Sequence, residues 1–432
     1  MFNIRDKLFY IWLLLLPFSW VIATLANITA PDKLLAPVLM LLGIIGVFGS
    51  PSARRSNRVF FLIFVVIFFI IIKHLSFIGS NELFWQLILD DAIKVGYFLI
   101  PVFCIDDIKK FRISGWLVLL VAMSGCFSVF LVSTGLMTLP LERFEDSRLG
   151  VEGLLKAIGL FPSYGDLAQY IAFTVLLVII APGVKNRKNK WLFYARVLVF
   201  VGVILGLLGT QSRNIFISLF VSLGTLWFLK KLSSKQGVSK DTMMMIVVVV
   251  SFVGISLIGV FISNFIDTLS SFGGTNAKNT AGARLEQYAA AWEIMKTSPL
   301  MGADIETYMR LGPLIEGIHN VWLRLIAQGG LLAMLMMAAL LWFCFKGIRS
   351  ASRIPEKTPE TMIATGYFAA LMVSVMFYTG MGEMFWALLG VATSISCIPP
   401  FVKSNNEATD NDDVINENDS AVKTYSRYPQ LR

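Results

Sequence analysis

The run from Val59 to Ile72, VFFLIFVVIFFIII, contains no charged, amide or hydroxyl side chain. A barrel strand in lipid alternates apolar and polar residues with a period of two, and this run does not. Backbone polar groups in hydrocarbon must be satisfied inside their own segment, which leaves a helix as the reading. Extended to Ile78, the block reaches about twenty residues, enough to cross roughly 30 Å of hydrocarbon.

Blocks of this kind recur along the 432 residues, of which 56% are hydrophobic and 15% charged. The pattern predicts membrane helices at 9–27, 34–50, 59–78, 83–104, 113–136, 164–182, 191–209, 214–230, 243–265, 320–345, 361–379 and 384–402. The expected fold is therefore an all-α polytopic membrane protein of about twelve spans. Residues 1–402 read as one transmembrane domain. The stretch 403–432, rich in Asn, Asp, Glu and Ser, reads as a disordered tail.

The net charge of +9 does not imply a nucleic-acid partner, because of where the charges fall. Basic clusters at Arg54–Arg58, Lys109–Arg112, Lys185–Lys190, Lys230–Lys240 and Lys346–Lys357 separate alternate blocks, on the side of the N-terminus. By the positive-inside rule that side is cytoplasmic, with both termini inside. Cys104, Cys126, Cys344 and Cys397 lie in or at the ends of apolar blocks, so no disulfide framework is implied. Arg5 and Lys7 precede an apolar run without a small-residue cleavage site, and that run is read as a retained helix.

Two outward segments, 137–163 and 266–318, are too long to be turns, and long loops of this kind usually carry function. The larger joins the ninth and tenth helices. In it Leu285, Tyr288, Trp292 and Met295 recur at helical spacing, which predicts a surface helix ending near Ser298-Pro299.

The chain has two histidines, His74 and His319. His319 closes the larger loop at the mouth of the tenth helix, where an imidazole can accept or relay a proton near neutral pH. His74 follows Lys73 at a helix end, and interfacial placement accounts for it. Outward arginines form a second constellation: Arg148, Arg213 in the turn Gln211-Ser212-Arg213-Asn214, and Arg284. A guanidinium grips phosphate bidentately and keeps its charge, so these three suit a diphosphate at the membrane surface. Arg143 and Arg310 read as interfacial salt bridges. Asp90 and Lys94 are i,i+4 neighbours able to neutralise each other inside the fourth helix, beside Asp91. Asp304 and Glu306 offer two oxygen ligands, a weak metal signal that a solvated loop explains, and no metal is expected.

Gly282-Ala283-Arg284, Trp292, Ser298-Pro299-Leu300-Met301-Gly302, His319-Asn320 and Gln328-Gly329-Gly330-Leu331 resemble the shared domain of the O-antigen ligase and polymerase family. Gln211-Ser212-Arg213 is similar to that family's Ser-Arg turn. Gly159-Leu160-Phe161-Pro162 through Asp166-Leu167-Ala168 is similar to the segment entering the preceding helix. The resemblance spans most of 148–345. It implies glycan transfer from an undecaprenyl-diphosphate-linked oligosaccharide on the periplasmic face of a bacterial inner membrane, without cofactor or metal. Arg213 and Arg284, with Arg148, would stabilise charge building on the lipid diphosphate. His319 would orient or deprotonate the acceptor hydroxyl, and Asn320 and Trp292 would serve the acceptor side or the local structure. The acceptor would be a glycan or lipid A-core, with membrane lipid and a chain-length regulator as further partners. Leu332 stands where ligases often carry a small or polar residue, which favours a polymerase of O-antigen or exopolysaccharide repeat units over a ligase.

A flippase or transporter is the alternative from another class, since about twelve helices with both ends inside suits one. Many transporters join two similar halves through a long central cytoplasmic loop. Here that loop is short, the long one is outward, and Pro51-Ser52-Ala53-Arg54-Arg55 lacks the Gly and Asp of the common facilitator signature. A non-catalytic scaffold is the third reading, one in which Arg284 and His319 are dispensable.

Overall fold

Proline and glycine punctuation sets the first helices. In this computed structural model the described residues are 4–49, 53–78, 81–139, 157–180, 190–210, 221, 223–225, 275–318, 320–352, 354, 357–377 and 382–399. The helix expected at 9–27 is present as the span Ile4–Ala26, in which α1 (Ile4–Leu15) and α2 (Ser19–Ala26) are joined by a tighter helical turn at Leu16–Phe18. Pro17 has no N–H to donate and its ring crowds the preceding turn, so the helix tightens there. Pro31 then opens α3 (Pro31–Phe48) at a position where a missing N–H costs nothing.

Next come α4 (Ala53–Lys73), α5 (Asn81–Cys104), α6 (Ile108–Ser133), α7 (Tyr164–Ile180) and α8 (Lys190–Thr210). Beyond them stand α9 (Thr275–Thr297), α10 (Ile305–Glu316), α11 (Val321–Ala351), α12 (Thr358–Phe377) and α13 (Glu383–Ser394). The expected spans 214–230 and 243–265 lie almost wholly outside the described residues. The chain is an all-α polytopic membrane protein. Among the described residues Ile4–Ala26, Pro31–Phe48, Arg55–Lys73, Ile108–Ser133 and Val321–Ala351 are each long and apolar enough to cross a membrane. The charges of α5 and the shortness of α7 and of Arg196–Thr210 keep those helices off that set.

Between helices in lipid, close backbone approach replaces the hydrophobic drive that operates in water. Gly202, Gly206 and Gly209 make one stripe along α8. A Cβ at these positions would fall 2.5 Å from Met123 Sδ, 2.8 Å from Cys126 Sγ and 2.6 Å from Val129 Cγ1, so α8 lies directly on α6. Gly390 does the same between α13 and α5, where a Cβ would meet the Phe98 carbonyl at 2.3 Å. The four cysteines are buried and free.

Among the described residues Arg5, Arg55, Arg58, Lys110, Arg112 and Lys357 gather at one end of the bundle. Asp106, between α5 and α6, accepts from Arg5 at 2.6 Å and from Lys110 at 2.7 Å, with Arg55 at 3.7 Å. Lys110 also reaches Asp6 at 3.0 Å. Arg55 donates to the Phe103 carbonyl at 2.8 Å, Arg58 and Lys357 donate to the Ser396 and Ile398 carbonyls, and Arg112 pairs with Glu360 at 2.6 Å. The starts of α1, α4, α6 and α12 and the ends of α5 and α13 are thereby tied together.

Burial alone would push the Asp106 carboxyl up, but hydrogen bonds and charge from Lys110 and Arg5 hold it below its ordinary value. A carboxyl depressed in the folded state adds stability that is full above its unfolded value, near 3.8, and is lost as pH falls through the lower folded value. Asp106→Asn should therefore lower the stability of the detergent-solubilised protein by about 2 kcal/mol at pH 7, allowing for the partial exposure of the pair. Thermal unfolding measured at pH 7 and again below pH 4 checks this. The wild-type advantage should shrink at the lower pH.

Candidate functional site

At the opposite end of the bundle α9 stops at Thr297, because Pro299 cannot continue it. The segment Ser298–Ala303 then runs against a break in α11. At that break Gly329 (φ −132°, ψ 16°) and Gly330 (φ 67°, ψ −167°) leave helical geometry, and Gly330 occupies a region open essentially only to glycine. Such a break frees backbone groups, and the 298–303 segment takes them up. Ala303 N–H donates to the Ala327 carbonyl at 2.8 Å, and Leu331 N–H to that of Pro299 at 2.9 Å. The fit leaves no room for side chains. A Cβ on Gly330 would lie 2.1 Å from the Leu300 oxygen, one on Gly302 (φ +76°) 2.6 Å from Gly330 N, and one on Gly329 2.6 Å from the Lys73 oxygen. The end of α4, the 298–303 segment and α11 meet as bare backbone.

This cradle carries α10 and the short connection Gly317–Asn320. Asp304 caps α10 through its Oδ1, which accepts from Thr307 N–H at 2.8 Å, and that bond holds its carboxyl below the ordinary value. Among the described residues no group of three or more His, Cys, Asp and Glu is arranged to hold a metal. Asn320 caps α11, its Oδ1 accepting from Trp322 and Leu323 N–H at 3.0 and 3.1 Å. Ala291 and Ile294 of α9 pack with Ala303, Ile315, Ile318 and Ala327 beneath. Gln287 lies over the connection, since a Cβ on Gly317 would fall 2.6 Å from its Nε2.

A polar network closes the other side. Glu316 Oε1 accepts from Tyr308 Oη at 2.8 Å and from Gln328 Nε2 at 3.2 Å, while Oε2 pairs with Arg324. The Tyr308 ring stands edge-on to Phe77 at 5.2 Å, which links α10 to the turn after α4.

In that turn His74, read from the sequence as interfacial, directly follows α4 and is 4% exposed. Its Nε2 lies 2.8 Å from Asp91 Oδ2, the same oxygen that pairs with Lys73 Nζ at 2.5 Å. An ionised carboxylate only accepts, so Nε2 donates, and among the described residues Nδ1 has no hydrogen-bond partner. The expected Asp90–Lys94 pair is present on the same helix. Sequence reasoning missed Lys73–His74–Asp91 and Glu316. The one available signal was an aspartate beside an already paired neighbour, facing a histidine across a short hairpin.

Of the residues singled out in the sequence, Asn320 is an N-cap and Trp292 is 57% exposed on α9, with Lys296 Nζ over its ring at 5.5 Å. Tyr288 shares that exposed face, whereas Ala290, Ala291 and Ile294 are buried, so the aromatic stripe is not the packed face of the helix. Arg310 pairs with Glu293 at 2.7 Å, the salt bridge expected of it. Arg284 lies within α9, one helical turn before Gln287, and its side chain is outside the described set. His319, Arg213, Arg148 and Arg143 lie outside the described residues.

Residues 198–338 match a family model described as O-antigen ligase. The chain carries an O-antigen ligase family domain. No curated protein matches the chain. The family domain begins within α8, ends within α11 and includes the positions of Arg213, Arg284 and His319. It also includes the 298–303 segment and the α11 break, so the cradle belongs to the family domain, whereas its floor at Lys73 comes from outside it.

Gly330→Ala should cost about 3 kcal/mol or more, from the left-handed backbone together with the clash on Leu300. Thermal unfolding in detergent and proteolysis near residue 300 test this, with the variant expected to melt lower and to be cut faster.

Proposed function

We propose that the chain transfers a glycan from an undecaprenyl-diphosphate-linked donor at the end of the bundle opposite the basic clusters. That end is periplasmic, and the basic end, with both termini, faces the cytoplasm of a bacterial inner membrane. The observation that carries the proposal is the meeting of α9 with the 317–320 connection inside the ligase-family domain. Positions 284, 287 and 291 lie on one face of α9 by helical spacing. Gln287 touches Gly317 and Ala291 packs on Ile315 and Ile318, so this face turns toward the connection that holds His319.

In the reaction the bond between the anomeric carbon and the lipid diphosphate breaks as a bond to an acceptor hydroxyl oxygen forms. Negative charge builds on the departing diphosphate, where Arg213 and Arg284, with Arg148, act more strongly on the transition state than on the ground state. The acceptor proton passes to His319. Polymerisation of O-antigen or exopolysaccharide repeat units is the leading form, supported by Leu332. Ligation to lipid A-core is the second, supported by the description of the matching family model.

The test is a deletion strain complemented with wild type, His319→Ala, Arg284→Ala or Arg213→Ala, with membrane levels of each protein checked. Each variant should accumulate normally and restore less than about a hundredth of the transfer. A ladder lost in the deletion identifies a polymerase, and long chains left off the lipid A-core identify a ligase. Wild-type profiles from all three variants would remove the glycosyl-transfer reading of these residues.

A further inference from the structure

Building on the glycosyl-transfer reading, we infer that Glu316 is a positioning residue of the transfer site, fixing the connection that presents His319. Glu316 is the last residue of α10 and stands three positions before His319. Its carboxylate gathers donors from both helices that bound the connection. Tyr308 reaches it from α10 at 2.8 Å, Gln328 from α11 at 3.2 Å, and Arg324 pairs with the second oxygen. Four residues, Gly317 to Asn320, span the gap between the tied helices, and Asn320 is fixed as the cap of α11. The described residues on either side of position 319 are therefore held, Glu316 through its carboxylate and Asn320 through its amide.

A lone ion pair with a carboxylate 47% exposed would contribute little to stability. The feature here is convergence: three donors from two helices on one side chain, with one of those donors, Tyr308, seated edge-on to Phe77. Gln328 immediately precedes the Gly329–Gly330 break, so the carboxylate also sets the short helical stretch above that break against α10. A displacement of about 1 Å in a reacting group costs up to roughly a hundredfold in rate, so loss of this tie acts on turnover.

The test uses membranes of the deletion strain, in which the strain's own lipid-linked glycan accumulates, supplied with purified full-length wild type, Glu316→Ala, Glu316→Gln or Tyr308→Phe. Glu316→Ala should lower kcat between about ten- and a hundredfold while KM for the lipid-linked glycan changes less than about twofold. Glu316→Gln should lose less, because its amide oxygen still accepts from Tyr308 and Gln328. Tyr308→Phe, which removes a single donor and keeps the ring on Phe77, should lower kcat by a smaller factor with KM again unchanged. It carries the test if Glu316→Ala fails to accumulate. Unchanged kcat in these variants, or a loss confined to KM, overturns the proposal. His319→Ala run in parallel separates the two levels. If it is inactive while Glu316→Ala is fully active, only the positioning role falls; if it is fully active, the transfer reading itself falls and takes the positioning role with it.

Discussion

The break at Gly329–Gly330 is the constraint on which the far end of the molecule depends. A helix at the edge of hydrocarbon cannot leave N–H and carbonyl groups unpaired, because no water competes to satisfy them. The break is tolerated because Pro299 accepts from Leu331 and Ala303 donates to Ala327. Each partner makes the other possible: without the break the 298–303 segment has nothing to pair with, and without the segment the break exposes backbone. Three glycines are required at the meeting point because the contacts there are between main chains, at distances no Cβ permits. The helices α9 and α10 owe their position to this pairing and to a small apolar floor of Ala291, Ile294, Ile315 and Ile318.

The two ends of the bundle handle charge differently. Among the described residues of the basic end, Arg5 and Lys110 meet Asp106, Arg112 meets Glu360, and Arg55 takes a carbonyl that α5 leaves free at its C-terminus, that of Phe103. That arrangement ties helices together and asks nothing of a ligand. At the other end Asp91 takes both Lys73 and His74 on one oxygen, and one imidazole nitrogen is buried with no partner among the described residues. Burying a polar group unpaired costs free energy, and charge inside a membrane protein usually faces the bundle interior with a partner. The Lys73–Asp91 pair meets that rule by joining the end of α4 to α5.

Much of the helical architecture was legible because lipid leaves little choice. The runs at Val59–Ile72 and 113–136 admit no other backbone solution, and α4 and α6 cover most of the expected spans, shifted about three to six residues toward the N-terminus. Pro17 lies inside an uninterrupted apolar block, and there the helix tightens for one turn without interrupting the span Ile4–Ala26. The end of α9 before Ser298-Pro299 was legible because a proline disfavours helix continuation. Side-chain partnerships were less so. Asp90 and Lys94 sit one turn apart on a single helix and could be paired from spacing alone. Asp91 and His74 meet only through the register of a hairpin, which no local pattern encodes. Glu316 carried no local signal because its three partners lie eight and twelve residues away on two helices, with a turn between them. Tyr288 and Trp292 were legible from spacing as one face of a surface helix, and both are exposed on α9.

The same backbone contact fixes the depth of the site. The helix α4 has 21 residues, and at about 1.5 Å of rise each it is roughly 30 Å long, one hydrocarbon thickness. Its first turn is held at the basic end by Arg55 and Arg58, and its last residue, Lys73, lies with its carbonyl directly beneath Gly329. The cradle, α10 and the 317–320 connection therefore sit one membrane thickness from the basic end, a distance set by a helix outside the family domain. Under the proposed reading this is the level at which a lipid-borne diphosphate ends its hydrocarbon tail and begins its head group. A donor anchored in the bilayer then reaches the site without leaving it, and the part of the chain without family resemblance acquires a purpose: it holds the transfer domain at the height of its substrate.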